Sequence, residues 1–144
     1  MKPHGSKFEY ENERDADLLR AFNQLVTQAK RISCPEIYGQ LVNMPSKRFW
    51  VSEERATIVI SSMLKGNKLD GMRPCKKEMF YEIYRRVLKM REEKPSLSIP
   101  EIVFNVLRQE APKFYITPKS AKYLIFYAKK KCFQEKKHKL RHLF

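Results

Sequence analysis

Cysteine, histidine and glycine are scarce in this chain of 144 residues. The three cysteines, Cys34, Cys75 and Cys132, lie far apart and show no C-x-x-C spacing. The sequence therefore predicts neither a disulfide framework nor a zinc site, and this cysteine usage fits a reducing compartment. We expect a protein that holds no metal or cofactor and is located in the cytoplasm.

Residues suited to catalysis are also few. His4, His138 and His142 fall in the predicted terminal segments, which removes the usual general base from any site in the core. The chain has no glycine-rich phosphate loop, paired-carboxylate motif or H-E-x-x-H spacing. Glu36 and Glu101 recur at equivalent places, but both fill a helix-capping position. We predict that the protein is not an enzyme.

Long apolar runs are missing as well. Residues 1–12 are polar and lack the apolar segment of a signal peptide. No apolar stretch approaches the roughly 18 residues that a membrane-spanning helix needs. A soluble intracellular protein that does not enter membranes is the expectation.

Acidic residues are outnumbered by basic ones, and the imbalance is uneven. Thirty Lys and Arg against sixteen Asp and Glu give a formal net charge of +14. Residues 73–144 carry nineteen of the basic and only seven of the acidic side chains. Such an excess favours a polyanionic partner, and the second half of the chain should make most of the contact.

The chain contains an internal repeat. Residues 33–64 align without a gap with residues 98–129 at a shift of 65, with seven identities. Chemically similar residues fill many other positions, for example Trp50 and Tyr115. We predict two tandem copies of one structural unit.

Each copy shows the pattern of three amphipathic helices. Apolar residues recur at intervals of three and four, and Ser33, Ser52, Ser98 and Thr117 stand where N-caps are expected. No strand is predicted. The predicted organisation is a flexible lead-in over 1–13, a first three-helix unit over 14–64, a linker over 65–77, a second, basic unit over 78–131 and a basic tail over 132–144.

Three helices with a short second helix and a capped third helix resemble the helix-turn-helix class of DNA-binding domains. The resemblance is one of architecture, over about residues 14–131. It implies that helix three enters the major groove while helix two crosses the backbone. The connector between helices two and three, at about eight residues, exceeds the usual three or four.

Candidate contacts with nucleic acid follow from this resemblance and from the charge. In the second unit they are the residues off the apolar stripe of helix three and one connector lysine: Lys113, Lys119, Ser120, Lys122, Tyr123, Phe126, Lys129, Lys130 and Lys131. In the first unit they are Lys47, Arg48 and Arg55. Two alternatives for the lysines stay open, an ordinary solvated face and a solubilising tail. The aromatic pairs Phe49-Trp50 and Phe114-Tyr115 follow basic residues and can stack on exposed bases. The preferred explanation is that they are hydrophobic plugs at helix junctions.

The preferred hypothesis is a non-enzymatic protein that binds double-stranded DNA in an accessory or regulatory role. The regulation of transcription, replication and mobile-element recombination all fit, and the sequence does not choose among them. One alternative is binding to RNA or the ribosome, because a basic helical surface with exposed tyrosines also suits structured RNA. Another is a protein–protein adaptor that uses the first unit, where Ile58 is expected to be exposed beside Glu54 and Ser61.

Overall fold

The computed structural model describes residues 10–28 and 34–143, which form six α-helices and no strand. In chain order the helices are α1 (Glu11–Gln28), α2 (Cys34–Val42), α3 (Glu53–Leu64), α4 (Pro74–Glu93), α5 (Ile99–Leu107) and α6 (Pro118–Leu143). The predicted all-α class is confirmed.

Three of the predicted helix caps are formed. The side-chain oxygens of Ser52, Ser98 and Thr117 each accept a hydrogen bond from the backbone N–H three residues further on. These bonds satisfy N–H groups that have no partner within the first turn of a helix. Ser33, the fourth predicted cap, lies outside the described residues.

Several helix boundaries differ from the predicted ones. Helix α1 begins at Glu11 inside the predicted lead-in, and α4 begins at Pro74 inside the predicted linker, because proline suits a first helical turn. The last helix is predicted to extend towards Glu135, with a frayed segment over 138–144, but α6 continues to Leu143. Neither glycine nor proline interrupts the chain after Pro118, so nothing local ends that helix.

Two hydrophobic cores form, and each takes helices from both halves of the chain. The α3–α4–α5 core buries residues such as Ile60, Phe80 and Ile102. The α1–α2–α6 core buries residues such as Leu18 and Ile125. The third helix of each half therefore packs with the first two helices of the other half. The segments 14–64 and 78–131 share both cores.

Two connectors pass each other between the two cores. The first connector (residues 43–52) leads from α2 to α3, and the second connector (residues 108–117) leads from α5 to α6. Ser46 and Ala111 bond to each other through both backbone N–H groups, at 3.0 Å each. Phe49 N–H donates to the last carbonyl of α5 and Phe114 N–H to the last carbonyl of α2, again at 3.0 Å. Both phenylalanines are buried, as predicted for junction plugs.

A buried carboxylate ties the first connector to α1. Asp17 accepts hydrogen bonds from Lys47 N–H at 2.9 Å, from Trp50 Nε1 at 3.0 Å and from Arg20 Nη2 at 2.6 Å. Arg20 Nε donates to it as well, at 3.0 Å. The side chain of Asp17 is almost fully buried, so these four donors replace the water that it loses on folding. This network fixes where the first connector leaves the α1–α2–α6 core.

Tyr115 in the second connector has the left-handed backbone conformation, with φ at 57°. Its buried ring stacks on Phe49 with a centroid separation of 6.1 Å. Burial, with a smaller effect from the Glu82 and Glu78 carboxylates, raises the pKa of Tyr115 to about 12. The aromatic ring of one connector therefore covers that of the other.

Each core contains helices from both halves of the chain, so we predict that the two halves stay together after the chain is cut. A protease site inserted between Lys65 and Lys68, in the exposed loop after α3, should be cleaved without dissociation, because each piece lacks a complete core. Co-elution in gel filtration under native conditions and separation in denaturant is the expected result. Separation of the native pieces would contradict this shared packing.

Replacing Asp17 should destabilise the fold. Asp17→Ala leaves the partly buried N–H groups of Lys47 and Trp50, and also Arg20, without their acceptor, so we expect the free energy of unfolding to fall by about 2–4 kcal/mol. Urea denaturation measures this. Asp15→Ala on the same helix is the control, since its partly exposed pair with Arg14 should contribute less than about 1 kcal/mol. Equal losses in the two variants would argue against the Asp17 network.

The pKa of Tyr115 predicts a loss of stability at alkaline pH. An unfolded tyrosine ionises near pH 10, whereas folded Tyr115 keeps its proton until about pH 12. The contribution of Tyr115 to the free energy of unfolding is complete below pH 10 and is lost as the pH rises to 12, because only the unfolded chain releases the proton in that window. Denaturant titrations should show that the free energy of unfolding depends less steeply on pH in Tyr115→Phe than in the wild-type protein. Identical slopes would contradict the raised pKa.

Candidate nucleic-acid interface

Helix α6 carries most of the predicted contacts. Its 26 residues include eight of the predicted contact residues: Lys119, Ser120, Lys122, Tyr123, Phe126, Lys129, Lys130 and Lys131. Ala121 and Ile125 are fully or almost fully buried in the α1–α2–α6 core, which fixes the orientation of the helix. The opposite side of α6 faces solvent.

At 100° per residue, one solvent-facing stripe of α6 combines basic and aromatic side chains. This α6 outer face consists of Lys119, Lys122, Tyr123, Phe126, Lys130, Phe133 and Lys137, all of which are exposed. Phe126 and Phe133 are 62% and 68% exposed, which is unusual for phenylalanine. Glu135 is the single acidic residue of the helix, so a polyanion would meet little repulsion there.

Two aromatic residues of the outer face, Tyr123 and Phe126, form a cluster with Tyr127. The hydroxyls of Tyr123 and Tyr127 are 2.9 Å apart and their rings meet edge to face at 4.6 Å. Phe126 adds a second edge-to-face contact with Tyr127 at 5.6 Å. The hydrogen bond to Tyr127 raises the pKa of Tyr123. Tyr127 was missed by sequence reasoning, although the four-residue spacing from Tyr123 was a visible signal.

Three of the predicted α6 residues are engaged within the protein. Lys129 Nζ lies 4.4 Å from the centre of the Phe22 ring, and Lys131 Nζ donates to Asn12 Oδ1 at 2.8 Å. Ser120 takes part in the helix cap with Thr117. Lys129 and Lys131 lie beside the α6 outer face on the side of α1, and Ser120 lies in the first turn of the helix.

The predicted residues outside α6 are not gathered with it. Arg48 donates to the carbonyls of Phe49 and Val51 and stacks over Trp50 at 5.2 Å, and burial lowers its pKa. Lys113 pairs with Glu78 at 2.5 Å.

Arg55 is exposed on α3, which belongs to the α3–α4–α5 core. Lys47 is exposed beside Pro45 in the first connector. The start of α3 is acidic, with Glu53 paired to Arg108 at 2.9 Å. Ile58 on this helix is 56% exposed, as predicted.

Comparisons of the chain with protein-family models, with curated protein sequences and with solved structures find no match. Across residues 10–28 and 34–143, no three His, Cys, Asp or Glu side chains are grouped as metal ligands would be. None of the helices in that part of the chain has the length and apolar character required to cross a membrane. The candidate interface rests on the contacts of this chain alone.

Proposed function

We propose that this protein binds nucleic acid without catalysis, with double-stranded DNA as the preferred ligand, and that the α6 outer face makes the contact. One observation carries the proposal: a single helix of about 39 Å, at 1.5 Å per residue, presents lysines and exposed aromatic rings along one side. Lysines neutralise phosphates, and aromatic rings make apolar contacts with bases or sugars.

The shape of α6 supports binding in a groove. Every residue from Lys129 to Arg141 is exposed, although Lys129 and Lys131 still contact α1, so the outer side of this part of the helix is open to a ligand. A helix of 10–12 Å diameter fits the major groove, which is about 12 Å wide. Lys130, Lys136 and Lys137 would lie close to the phosphates that line such a groove.

We also infer that the two halves are copies of one three-helix unit that have exchanged their third helices. The bonded pair Ser46 and Ala111 and the equivalent bonds of Phe49 and Phe114 are separated by 65 residues, the shift of the sequence alignment. The caps Ser52 and Thr117 have the same separation. Helices α3 and α6 are then equivalent, and their different charge assigns DNA contact to α6.

Charge reversal on the α6 outer face tests the proposal. Lys122→Glu/Lys130→Glu should weaken binding to random duplex DNA roughly 10-fold to 100-fold and lower the salt dependence by about two counterions, because two phosphate contacts are lost. Fluorescence anisotropy across a salt series measures both. Circular dichroism checks that the variant keeps its helices.

The matched control is Lys89→Glu/Lys94→Glu at the far end of α4, which changes the net charge equally. Equal weakening by the two variants would show that only total charge matters and would contradict a defined interface. Competition between duplex DNA and an RNA hairpin decides the ligand class. Stronger competition by the RNA hairpin would indicate that the α6 outer face binds RNA and not DNA.

A further inference from the structure

A cleft of about 500 Å³ opens where the starts of α1, α4 and α6 meet the two connectors. Its volume lies within the usual range for small-molecule sites. The cleft is distinct from the α6 outer face, although Lys119 and Tyr123 border both. None of the predicted contacts was assigned to such a cavity.

The lining of this cleft is basic. Arg14, Arg73, Lys76 and Lys119 contribute to it, and no acidic side chain does. Arg14 pairs with its neighbour Asp15 at 3.1 Å. Within the described part of the chain, the other three cations have no carboxylate partner within salt-bridge distance. Several unpaired positive charges around one cavity attract an anion.

The backbone adds to this positive potential. Helices α4 and α6 both begin at the cleft, and neither has an acidic residue in its first turn. Arg73, at the N-cap of α4, makes no capping hydrogen bond with its side chain. The partial positive charge of two helix N-termini therefore faces the same cavity as the unpaired cations.

Aromatic rings form the remaining wall. Tyr10 and Trp50 stack at a centroid distance of 6.2 Å with an interplanar angle of 29°. Both are partly buried, with Arg14 over the Tyr10 ring at 5.8 Å and Arg48 over the Trp50 ring at 5.2 Å, and Tyr115 and Tyr123 also border the cavity. A planar base stacks favourably on such rings whatever its identity. Inorganic phosphate would use the cations but would leave this aromatic wall unused.

We infer that the cleft binds a nucleoside monophosphate unit, with the phosphate held by Arg73 and Lys76 and the base against the Tyr10–Trp50 stack. The nucleotide is the unpaired, 5′-phosphorylated end of a strand that is bound along α6. This source of the nucleotide rests on the proposed function. A free nucleotide offers the same chemistry, and the experiment separates the two sources.

Trp50 is the single tryptophan of the chain, so its fluorescence reports on the cleft directly. Thymidine 5′-monophosphate should change this fluorescence saturably, whereas thymidine or inorganic phosphate should bind at least about ten-fold more weakly. Arg73→Gln/Lys76→Gln should weaken the binding of thymidine monophosphate about ten-fold or more. Lys89→Gln/Lys94→Gln, with the same change of charge, should leave it unchanged.

Duplexes with blunt or 5′-phosphorylated overhanging ends identify the source. A preference for the overhang that disappears in Arg73→Gln/Lys76→Gln supports a strand end, whereas binding of thymidine monophosphate without that preference supports a free nucleotide. Three results would overturn the inference: no fluorescence change with thymidine monophosphate, equally strong binding of inorganic phosphate alone, or equal weakening of binding by Lys89→Gln/Lys94→Gln.

The cleft inference and the proposed function fail separately. If Lys122→Glu/Lys130→Glu loses duplex affinity while thymidine monophosphate does not bind, the α6 interface stands and the cleft site is wrong. If thymidine monophosphate binds through Arg73 and Lys76 while wild-type protein ignores duplex DNA and RNA, the cleft is a free-nucleotide site and the proposed function is wrong.

Discussion

The crossing of the two connectors is the constraint on which the rest of the molecule depends. Ser46 and Ala111 exchange both backbone hydrogen bonds, and Phe49 and Phe114 each satisfy the last carbonyl of a helix from the opposite half. Buried peptide groups that lose water must find such partners. Once these bonds form, α3 must continue beside α4 and α5, and α6 must continue beside α1 and α2.

The placement of α6 follows from that crossing. Its buried residues Ala121 and Ile125 complete the α1–α2–α6 core, which sets the direction in which the lysines and aromatic rings of the outer face point. The same crossing brings the starts of α1, α4 and α6 together around the cleft. The proposed DNA contact and the proposed nucleotide site therefore have one structural origin, and Lys119 and Tyr123 border both.

Basic side chains in this protein serve two different purposes. Arg20, Arg48 and Lys113 form ion pairs, backbone hydrogen bonds or ring contacts that hold the connectors and helices in place. Lys122, Lys130 and Lys137 are exposed on the outer face of a helix that has one acidic residue. The sequence alone gives both groups the same weight, because net charge does not distinguish a cation that is engaged within the fold from one that faces solvent.

Local physics determined what the sequence predicted correctly. The caps Ser52, Ser98 and Thr117, the apolar stripes and the buried Phe49 and Phe114 depend on neighbours a few residues away. The uninterrupted run after Pro118 predicts a helix that extends towards Glu135, and the structure extends it to Leu143. The packing of α3 with α4 and α5, the packing of α6 with α1 and α2, and the cleft of Arg73, Lys76 and Trp50 could not be predicted in this way. An amphipathic stripe specifies which face of a helix is buried but not which helix buries it, so only the tertiary structure decided the partners.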